Sequence, residues 1–391
     1  MVGSFQFARL PGIVFRCGAV SILPDLIVRY GKKVILVTGK NSFLSSDHYE
    51  KLLAGLDRSG VEYNLVVIGG EPSPEDIDQA VKRFSNQDIS VVAGIGGGSV
   101  LDAGKAISAM AGRKESVAEF LEGVGTREHN GSKLPYIAVP TTSGTGSEAT
   151  KNAVISKVGK DGFKRSLRHD NFVPDIALVD PELTVGCPAD ITAASGMDCL
   201  TQLVEAYLSD KASPYTDALA LEGIKAVKAS LVRCHADGSD IEARSGMSFA
   251  ALTSGICLAN AGLGAIHGFA SSIGGLYNIA HGIICGTLMG AANEINVREL
   301  RKMKDGSYAL KKYAILGEIF VEAKGKSADF YIDGFLQYLH KVSSGLNLPG
   351  LKAAGIDEAD LRNICSATDC KNNPVKLNAE QLLEILKRRY F

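Results

Sequence analysis

Short β-branched runs alternate with amphipathic stretches through the first half of the chain. Val34-Ile35-Leu36-Val37-Thr38, Leu65-Val66-Val67-Ile68, Ile89-Ser90-Val91-Val92 and Tyr136-Ile137-Ala138-Val139 each run into Gly or Pro within two residues. Unbroken apolar runs of this length, closed by turn residues, predict strands buried on both faces. Between them the spacing turns helical. Ser73-Pro74-Glu75-Asp76 opens a helix predicted to run to about Phe84, with Pro in the first turn and acids at the positive helix end. Strand, helix and strand at this spacing mean βαβ units and a mostly parallel sheet.

The pattern changes after Cys187-Pro188. Residues 189–209, 213–231, 240–261 and 308–321 carry apolar positions at 3.6-residue spacing, and few strand candidates remain. Nine of the 12 prolines lie at or before Pro188. The expectation is therefore an α/β domain over 1–187 and an all-helical domain over 188–391, with no repeat or low-complexity tract. Ligands favour the cleft between two such units, so functional residues should come from both.

Charge removes some classes of partner. The 42 basic residues nearly cancel the 43 acidic ones, leaving −1, so no field draws nucleic acid or an anionic membrane. No apolar run reaches the ~18 residues of a membrane helix, and no basic segment precedes an apolar core at the N-terminus. The eight cysteines are scattered without a C-x-x-C pair. They read as reduced thiols of a cytoplasmic protein, with neither a disulfide framework nor a thiolate zinc site expected.

Glycine changes the picture most. The 43 glycines cluster. Gly94-Ile95-Gly96-Gly97-Gly98-Ser99 follows the strand at 89–93 and precedes an amphipathic helix, Val100 to Met110. Such a loop lets the backbone approach a ligand, and the helix end behind it favours phosphate. It matches neither a Rossmann fingerprint nor a Walker A loop, and a tight strand-to-helix turn is the plainer alternative. Asp102 and Lys105 follow on the helix, where charges usually face solvent. A second cluster, Thr141-Thr142-Ser143-Gly144-Thr145-Gly146-Ser147-Glu148-Ala149, contains G-x-G-x-x-A, but 153–156 then look extended rather than helical. Hydroxyls among glycines suit a polar ligand or a solvated loop.

Three side chains in the second half suggest a metal. Asp198 sits in an apolar helix with Gln202 four residues on, on the same face. His267 and His281 flank an apolar Gly-rich segment, and Gly274-Gly275 is expected to break it into two helices aimed at one point. A carboxylate in an apolar helix needs a partner. One Asp and two His make a divalent-metal set, or core histidines paired with polar groups. His48, His129, His235 and His340 lie in polar or loop-like surroundings without a partner pattern.

Taken together, these elements resemble the iron-containing (group III) alcohol dehydrogenases. Gly96-Gly97-Gly98-Ser99-Val100-Leu101-Asp102-Ala103-Gly104-Lys105 is similar to the GGGSxxDxAK element of that family, with Gly104 in place of Ala. Pro140-Thr141-Thr142-Ser143-Gly144-Thr145-Gly146-Ser147-Glu148 resembles its second loop. Leu121-Glu122-Gly123-Val124-Gly125, Val179-Asp180-Pro181-Glu182-Leu183, Gly196-Met197-Asp198-Cys199-Leu200-Thr201 and the stretch from Gly275 to Gly282 follow in the family's order.

The resemblance implies a dehydroquinate-synthase-like fold, with an α/β dinucleotide-binding domain and a helical domain. It implies NAD(P)-linked interconversion of an alcohol with an aldehyde or ketone, and a homodimer or larger homo-oligomer. It also implies one divalent metal, Fe²⁺ or alternatively Zn²⁺, on Asp198, Gln202, His267 and His281. Gln202 departs from the family's His, and Ser271 stands where a further family His often lies. An amide oxygen is a weaker ligand than imidazole. The substrate proton then has Ser271, metal-bound water or a cofactor ribose hydroxyl as its route.

On that reading Asp198, His267 and His281 hold the metal and 96–99 cradle the pyrophosphate. Thr141, Thr142, Thr145 and Ser147 line the nicotinamide side. Lys164, in the basic stretch after the second loop, touches cofactor, as does Asp102. At the strand end Gly39-Lys40-Asn41-Ser42, relatives that prefer NAD carry Asp where Gly39 stands. Its absence removes the repulsion of a 2′-phosphate, so NADP is favoured over NAD. A cyclase-type lyase on the same fold and a nucleotide-binding protein with lost catalysis are the alternatives.

Overall fold

Six of the predicted and unpredicted strands of the first half join into one parallel sheet in the computed structural model, which describes residues 4–391. In chain order the elements are β1 (Gly12–Phe15), α1 (Leu23–Val28), β2 (Lys33–Gly39), α2 (Asp47–Arg58), β3 (Glu62–Ile68) and α3 (Pro74–Phe84). Then follow β4 (Val91–Gly96), α4 (Gly98–Met110), β5 (Tyr136–Pro140), β6 (Asn152–Lys157), β7 (Phe163–Arg168) and β8 (Ile176–Val179). The sheet runs β1-β8-β5-β4-β2-β3, and every ladder in it is parallel. The chain leaves β2 toward β3 on one side and returns to β4 on the other. This puts a topological switch point, the usual ligand crevice of such sheets, between the carboxyl ends of β2 and β4.

The apolar runs follow from this burial. Ile35 and Val37 of β2 face a core shared with Ile77 of α3 and Ile107 of α4. Val34 and Leu36 face the opposite core, with Leu26 of α1 and Leu52 of α2. Each such side chain contributes about 1.5–3 kcal/mol by leaving water, so charge is confined to the half-exposed end of the strand at Lys33. α3 begins as its sequence predicts. Ser73 Oγ accepts from Asp76 N (3.1 Å), and Ser73 N donates to Asp76 Oδ2 (2.9 Å), a capping box ahead of Pro74.

Two details differ from expectation. Gly94-Ile95-Gly96 belongs to β4, which starts at Val91 and reaches Gly96, paired with Pro140. The reason is Tyr136. Its ring crosses β4 and α4 to donate to Leu101 O (2.8 Å), and a Cβ on Gly104 would lie 2.8 Å from its hydroxyl. The same ring excludes a side chain at Gly94, so these glycines make room for a neighbour rather than for a ligand. The basic stretch at 164–168 is the strand β7, paired antiparallel with β6 outside the main sheet. Ala153, Ile155 and Leu167 turn inward from this hairpin.

Beyond Val179 no strand occurs among the described residues. The helices are α5 (Ala189–Leu208), α6 (Pro214–Ala236), α7 (Ile241–Ala261), α8 (Ala265–Leu276), α9 (His281–Lys302), α10 (Ser307–Phe320), α11 (Ala328–Gly345), α12 (Leu361–Ala367) and α13 (Ala379–Arg388). The architecture is thus an α/β unit with a parallel sheet and a helical unit. α5 is buried on every side from Gly196 to Leu208, because α6, α7 and α9 all pack on it. Gly274-Gly275 does not break a helix. Both lie in the last turn of α8, against the β7 residues Lys164 and Phe163, and the chain turns extended only at Tyr277. No single helix among the described residues is long and apolar enough to cross a membrane.

Candidate active site

A cleft of about 690 Å³ separates the carboxyl ends of the sheet from α5, α8 and the start of α9. Gly97, Gly98 and Ser99 form part of its sheet-side wall. Gly97 is the N-cap of α4, and no side chain caps that helix. The amides of its first turn are therefore available to an anion in the cleft, where the helix end is positive. Gly96 is not on the wall; it is buried in the β4–β5 ladder. Thr142, Thr145 and Ser147 line the cleft, whereas Thr141 is tied to the sheet through its amide and Gly96 O (2.9 Å). The second loop is not solvated. Ser143 Oγ meets Ser248 Oγ of α7 (3.2 Å), and a Cβ on Gly144 would lie 2.8 Å from Ser195 Cβ of α5.

Lys105 neither faces solvent nor reaches the cleft. It is fully buried, and its ammonium donates to Ser147 O (2.9 Å), Thr150 Oγ1 (3.0 Å) and Asn152 O (2.7 Å). Burial pulls its pKa down to about 8, against the pull of Asp102. Asp102 lines the cleft, accepts from Ser147 Oγ and Val154 N, and is raised by its own burial. These groups hold the glycine loop, the second loop and β6 in one arrangement. Lys164 also lines the cleft, yet its ammonium is paired with Glu71 at 2.7 Å. Burial raises Glu71, but Lys164 outweighs it and holds the carboxyl below its usual range. Gly39, Lys40, Asn41 and Ser42 lie beyond the wall, at the end of β2. The Lys40 stem crosses to β3's end, where a Cβ on Gly69 would lie 2.6 Å from its Nζ, and Gly69 does line the cleft.

The opposite wall carries side-chain chemistry. Asp198 of α5, His267 in the first turn of α8 and His281 at the start of α9 all line it. Asp198 Oδ1 lies 3.4 Å from His267 Nε2 and 3.6 Å from His281 Nε2. Burial raises this carboxyl, but His281 and His267 outweigh that and keep it below its ordinary value. Gly282 makes the approach possible, since any Cβ there would strike Ala194 O of α5. His267 Nδ1 bonds Glu205 Oε2 at 2.6 Å, which turns Nε2 toward Asp198. Desolvation works against charge on His267, and the Cys285 sulfur, Asp198 and Glu205 together drive its pKa well up. His281 goes the other way, to about 4, because burial dominates.

One member of the expected set sits differently, and one residue from outside it joins the cluster. Gln202 Nε2 donates to Asp198 Oδ2 (3.3 Å), while its Oε1 accepts from Ser254 Oγ (2.9 Å). Its oxygen is thus committed away from the imidazoles. Cys285, outside the expected set, lies beside it. Its Sγ lies 3.8 Å from His267 Nε2, and donor atoms of Asp198, His267, His281 and Cys285 all lie within 4.8 Å of one another. Burial pushes this thiol up to about 12. Ser271 is exposed on the cleft wall, one turn after His267.

A divalent cation fits this donor set. Asp198 Oδ1 is buried without a hydrogen-bond partner, a cost a cation removes. Nitrogen, oxygen and sulfur at these separations suit a transition metal. Sequence reasoning missed Glu205, seven residues after Asp198 on the same face of α5, and Cys285, four after His281 on α9. Helical spacing was the available signal for Glu205; for Cys285 the same spacing says nothing until the packing of α9 against α5 is known.

Comparison with known proteins identifies the family. The family model for iron-containing alcohol dehydrogenase matches residues 11–181, and that for the C-terminal part of the Fe-containing alcohol dehydrogenase family matches 192–390. Alcohol dehydrogenase 4 of Saccharomyces cerevisiae is 32% identical over 372 residues, covering 92% of this chain and 91% of the yeast protein. An NAD-dependent methanol dehydrogenase of Bacillus methanolicus is 30% identical, covering 96% of this chain and 97% of that one. Among solved structures, a 1,3-propanediol oxidoreductase superposes with a TM-score of 0.89 at 27% identity, over 99% of this chain and 100% of the other.

Proposed function

This chain belongs to the iron-containing alcohol dehydrogenase family, and from that premise we propose that it transfers a hydride between a small alcohol or its aldehyde or ketone and a nicotinamide cofactor, NADP(H) before NAD(H), in the cleft between its halves. One observation carries the site assignment. A buried carboxylate oxygen without a hydrogen bond faces two imidazole nitrogens across the cleft from an uncapped helix end.

Asp198, His267 and His281 would hold a divalent cation. Once bound, Fe²⁺ as in the family, or Zn²⁺, would act as a Lewis acid on the substrate oxygen. Glu205 accepts from His267 Nδ1 and so fixes which nitrogen faces the cleft. On the other wall, the amides at 97–99 bind the pyrophosphate, and Thr142 and Thr145 bound the pocket that sets the nicotinamide against the substrate. Ser147 and Asp102 hold that wall's shape through their mutual hydrogen bond. Lys164, neutralised by Glu71, bounds the cleft without adding free charge to it. Ser271, open to water on the α8 wall, carries the alcohol proton toward solvent.

The coenzyme preference rests on the end of β2. Gly39 has no left-handed backbone to explain it, and a Cβ there would meet only Val100 Cγ2 at 3.8 Å. A side chain would fit, so a missing acid is a chemical choice, and the Lys40 ammonium beside Gly69 attracts a 2′-phosphate. All eight cysteines are free, which suits a reducing cytoplasm.

Asp198→Ala tests the assignment. Metal should be lost, and kcat should fall by at least ~10³-fold, the worth of several kcal/mol of charge stabilisation. Circular dichroism should stay unchanged. Undiminished turnover would remove Asp198 from the site.

A further inference from the structure

We propose that the sulfur of Cys285 is a direct ligand of the metal, in the role that Gln202 leaves open, and that the resulting O, N, N, S donor set prefers Zn²⁺ to Fe²⁺. The proposal rests on the metal reading above and specifies it.

Two helices each present a pair of donors one turn apart. α5 offers Asp198 and Gln202, and α9 offers His281 and Cys285. Residues at i and i+4 lie on one helix face, so each pair aims at one point. On α5 only the first member is free to coordinate. Gln202 turns its N–H₂ toward Asp198, and its oxygen is held by Ser254, itself on α7. Turning that oxygen inward would break the Ser254 bond and still supply only a neutral amide.

On α9 both members face the cluster. Cys285 is fully buried, yet His267 Nε2 lies 3.8 Å from its sulfur. Around a tetrahedral metal with nitrogen at ~2.05 Å and sulfur at ~2.3 Å, neighbouring donors are about 3.3–3.6 Å apart. Three of the six donor separations, 3.4, 3.6 and 3.8 Å, are close to that, and all six lie within 4.8 Å, so the cluster closes onto a metal by side-chain shifts of about 1 Å or less. Cys285 does not line the cleft, whereas the other three donors do. Sulfur would thus bind from behind and leave the substrate side free.

A bound cation deprotonates a coordinating thiol outright, whatever burial does to the free one. A buried cysteine is ordinarily a small apolar filler, but this one adjoins an imidazole and a carboxylate within a cluster of donors. Coordination breaks the S–H bond, releases the proton to solvent and forms a metal–sulfur bond, with no electron transferred. A soft sulfur donor then selects zinc over ferrous iron.

The test uses the full chain, purified anaerobically, stripped of metal and titrated with Co²⁺. Wild type should bind Co²⁺ stoichiometrically with a sulfur-to-cobalt charge-transfer band in the near ultraviolet. Cys285→Ser and Cys285→Ala should lose the band while their circular dichroism is unchanged, and Cys285→Ser should lose more than ~100-fold in affinity, beyond the ~10–100-fold typical of outer partners. Gln202→Ala should keep the band. In competition, Zn²⁺ should displace Fe²⁺. A band surviving in both Cys285 variants, or Co²⁺ bound tightly by wild type without one, would overturn sulfur ligation and leave the Asp198–His267–His281 site standing. Failure of wild type to bind Co²⁺ any better than Asp198→Ala would defeat the metal reading itself, and this proposal with it. X-ray absorption on the zinc-loaded wild type, with sulfur expected at about 2.3 Å, decides ligation even if the variants do not fold.

Discussion

The two walls of the cleft are built from different materials. On the sheet side, the proposed cofactor-facing positions come from two short loops, 97–99 and 142–147, which offer largely backbone N–H and hydroxyl, with Asp102 and the Glu71–Lys164 pair beside them. On the helical side, Asp198, His267 and His281 come from three helices and span more than eighty residues of sequence, with Cys285 behind them. A backbone site requires small residues in a row, so it leaves a local mark. A side-chain site requires only that distant helices pack in one register, and that information is spread through the core.

This contrast can be broken in order of expected effect. The largest effect on the sheet side should come from Gly98→Val. A Cβ at 98 would lie 2.6 Å from Thr145 Cγ2 and 2.8 Å from its Oγ1, so the two loops must part where the pyrophosphate is proposed to lie. Coenzyme affinity should fall ~100-fold, about 2.7 kcal/mol, measured by nucleotide fluorescence titration. Metal content should not change. Loss of metal as well would show that the walls are not independent.

Gly39→Asp is gentler. The new side chain fits beside Val100 and alters only charge. The ratio of kcat/KM for NADPH over NADH should drop roughly tenfold, about 1.4 kcal/mol, with alcohol kinetics otherwise preserved. An unmoved ratio would mean that the end of β2 does not read the 2′ position, and NADP preference would lose its basis.

The same contrast explains what could be read from the residues alone. The strands around Leu36, Val92 and Ile137 were legible because both sheet faces are buried there, which forces unbroken apolar runs; β3 carries the same apolar run at the sheet edge, where Val67 is exposed and the expected burial on both faces does not hold. β1 and β8 were not, being four residues each with too little pattern to detect. The glycines were only half legible. Gly97 and Gly98 face the cleft, while Gly94 and Gly104 yield to Tyr136, and composition cannot tell a ligand from a tyrosine ring. Likewise Lys105 was indistinguishable from a solvated lysine, because its acceptors lie forty and more residues away. In the helical half, Asp198, His267 and His281 emerged from burial logic and family resemblance. Cys285 did not, since a cysteine four residues past a histidine has no meaning until the helix is known to face a carboxylate.

The smallest expected effect concerns a histidine with no part in either wall. His129 bonds Ala109 O through Nε2 (3.0 Å) and accepts from Gly131 N at Nδ1 (2.9 Å), with Phe120 and Phe172 edge-on to its ring. It is therefore a neutral structural histidine with definite partners, contrary to the loose loop its sequence suggests. Partial burial, then Arg113, lowers its pKa to about 4. Between about 4 and 6.5 the unfolded chain binds the proton that the folded chain refuses. Stability from this group is thus whole above pH 6.5 and is lost as pH falls toward 4. His129→Gln should make the acid limb of stability of the metal-free chain shallower over that window, read from denaturant midpoints. Both chains share every other titrating group, the Asp198–His267–His281 cluster included, so the difference between their slopes isolates this one. An identical slope would mean that the imidazole stays accessible to protons in the fold.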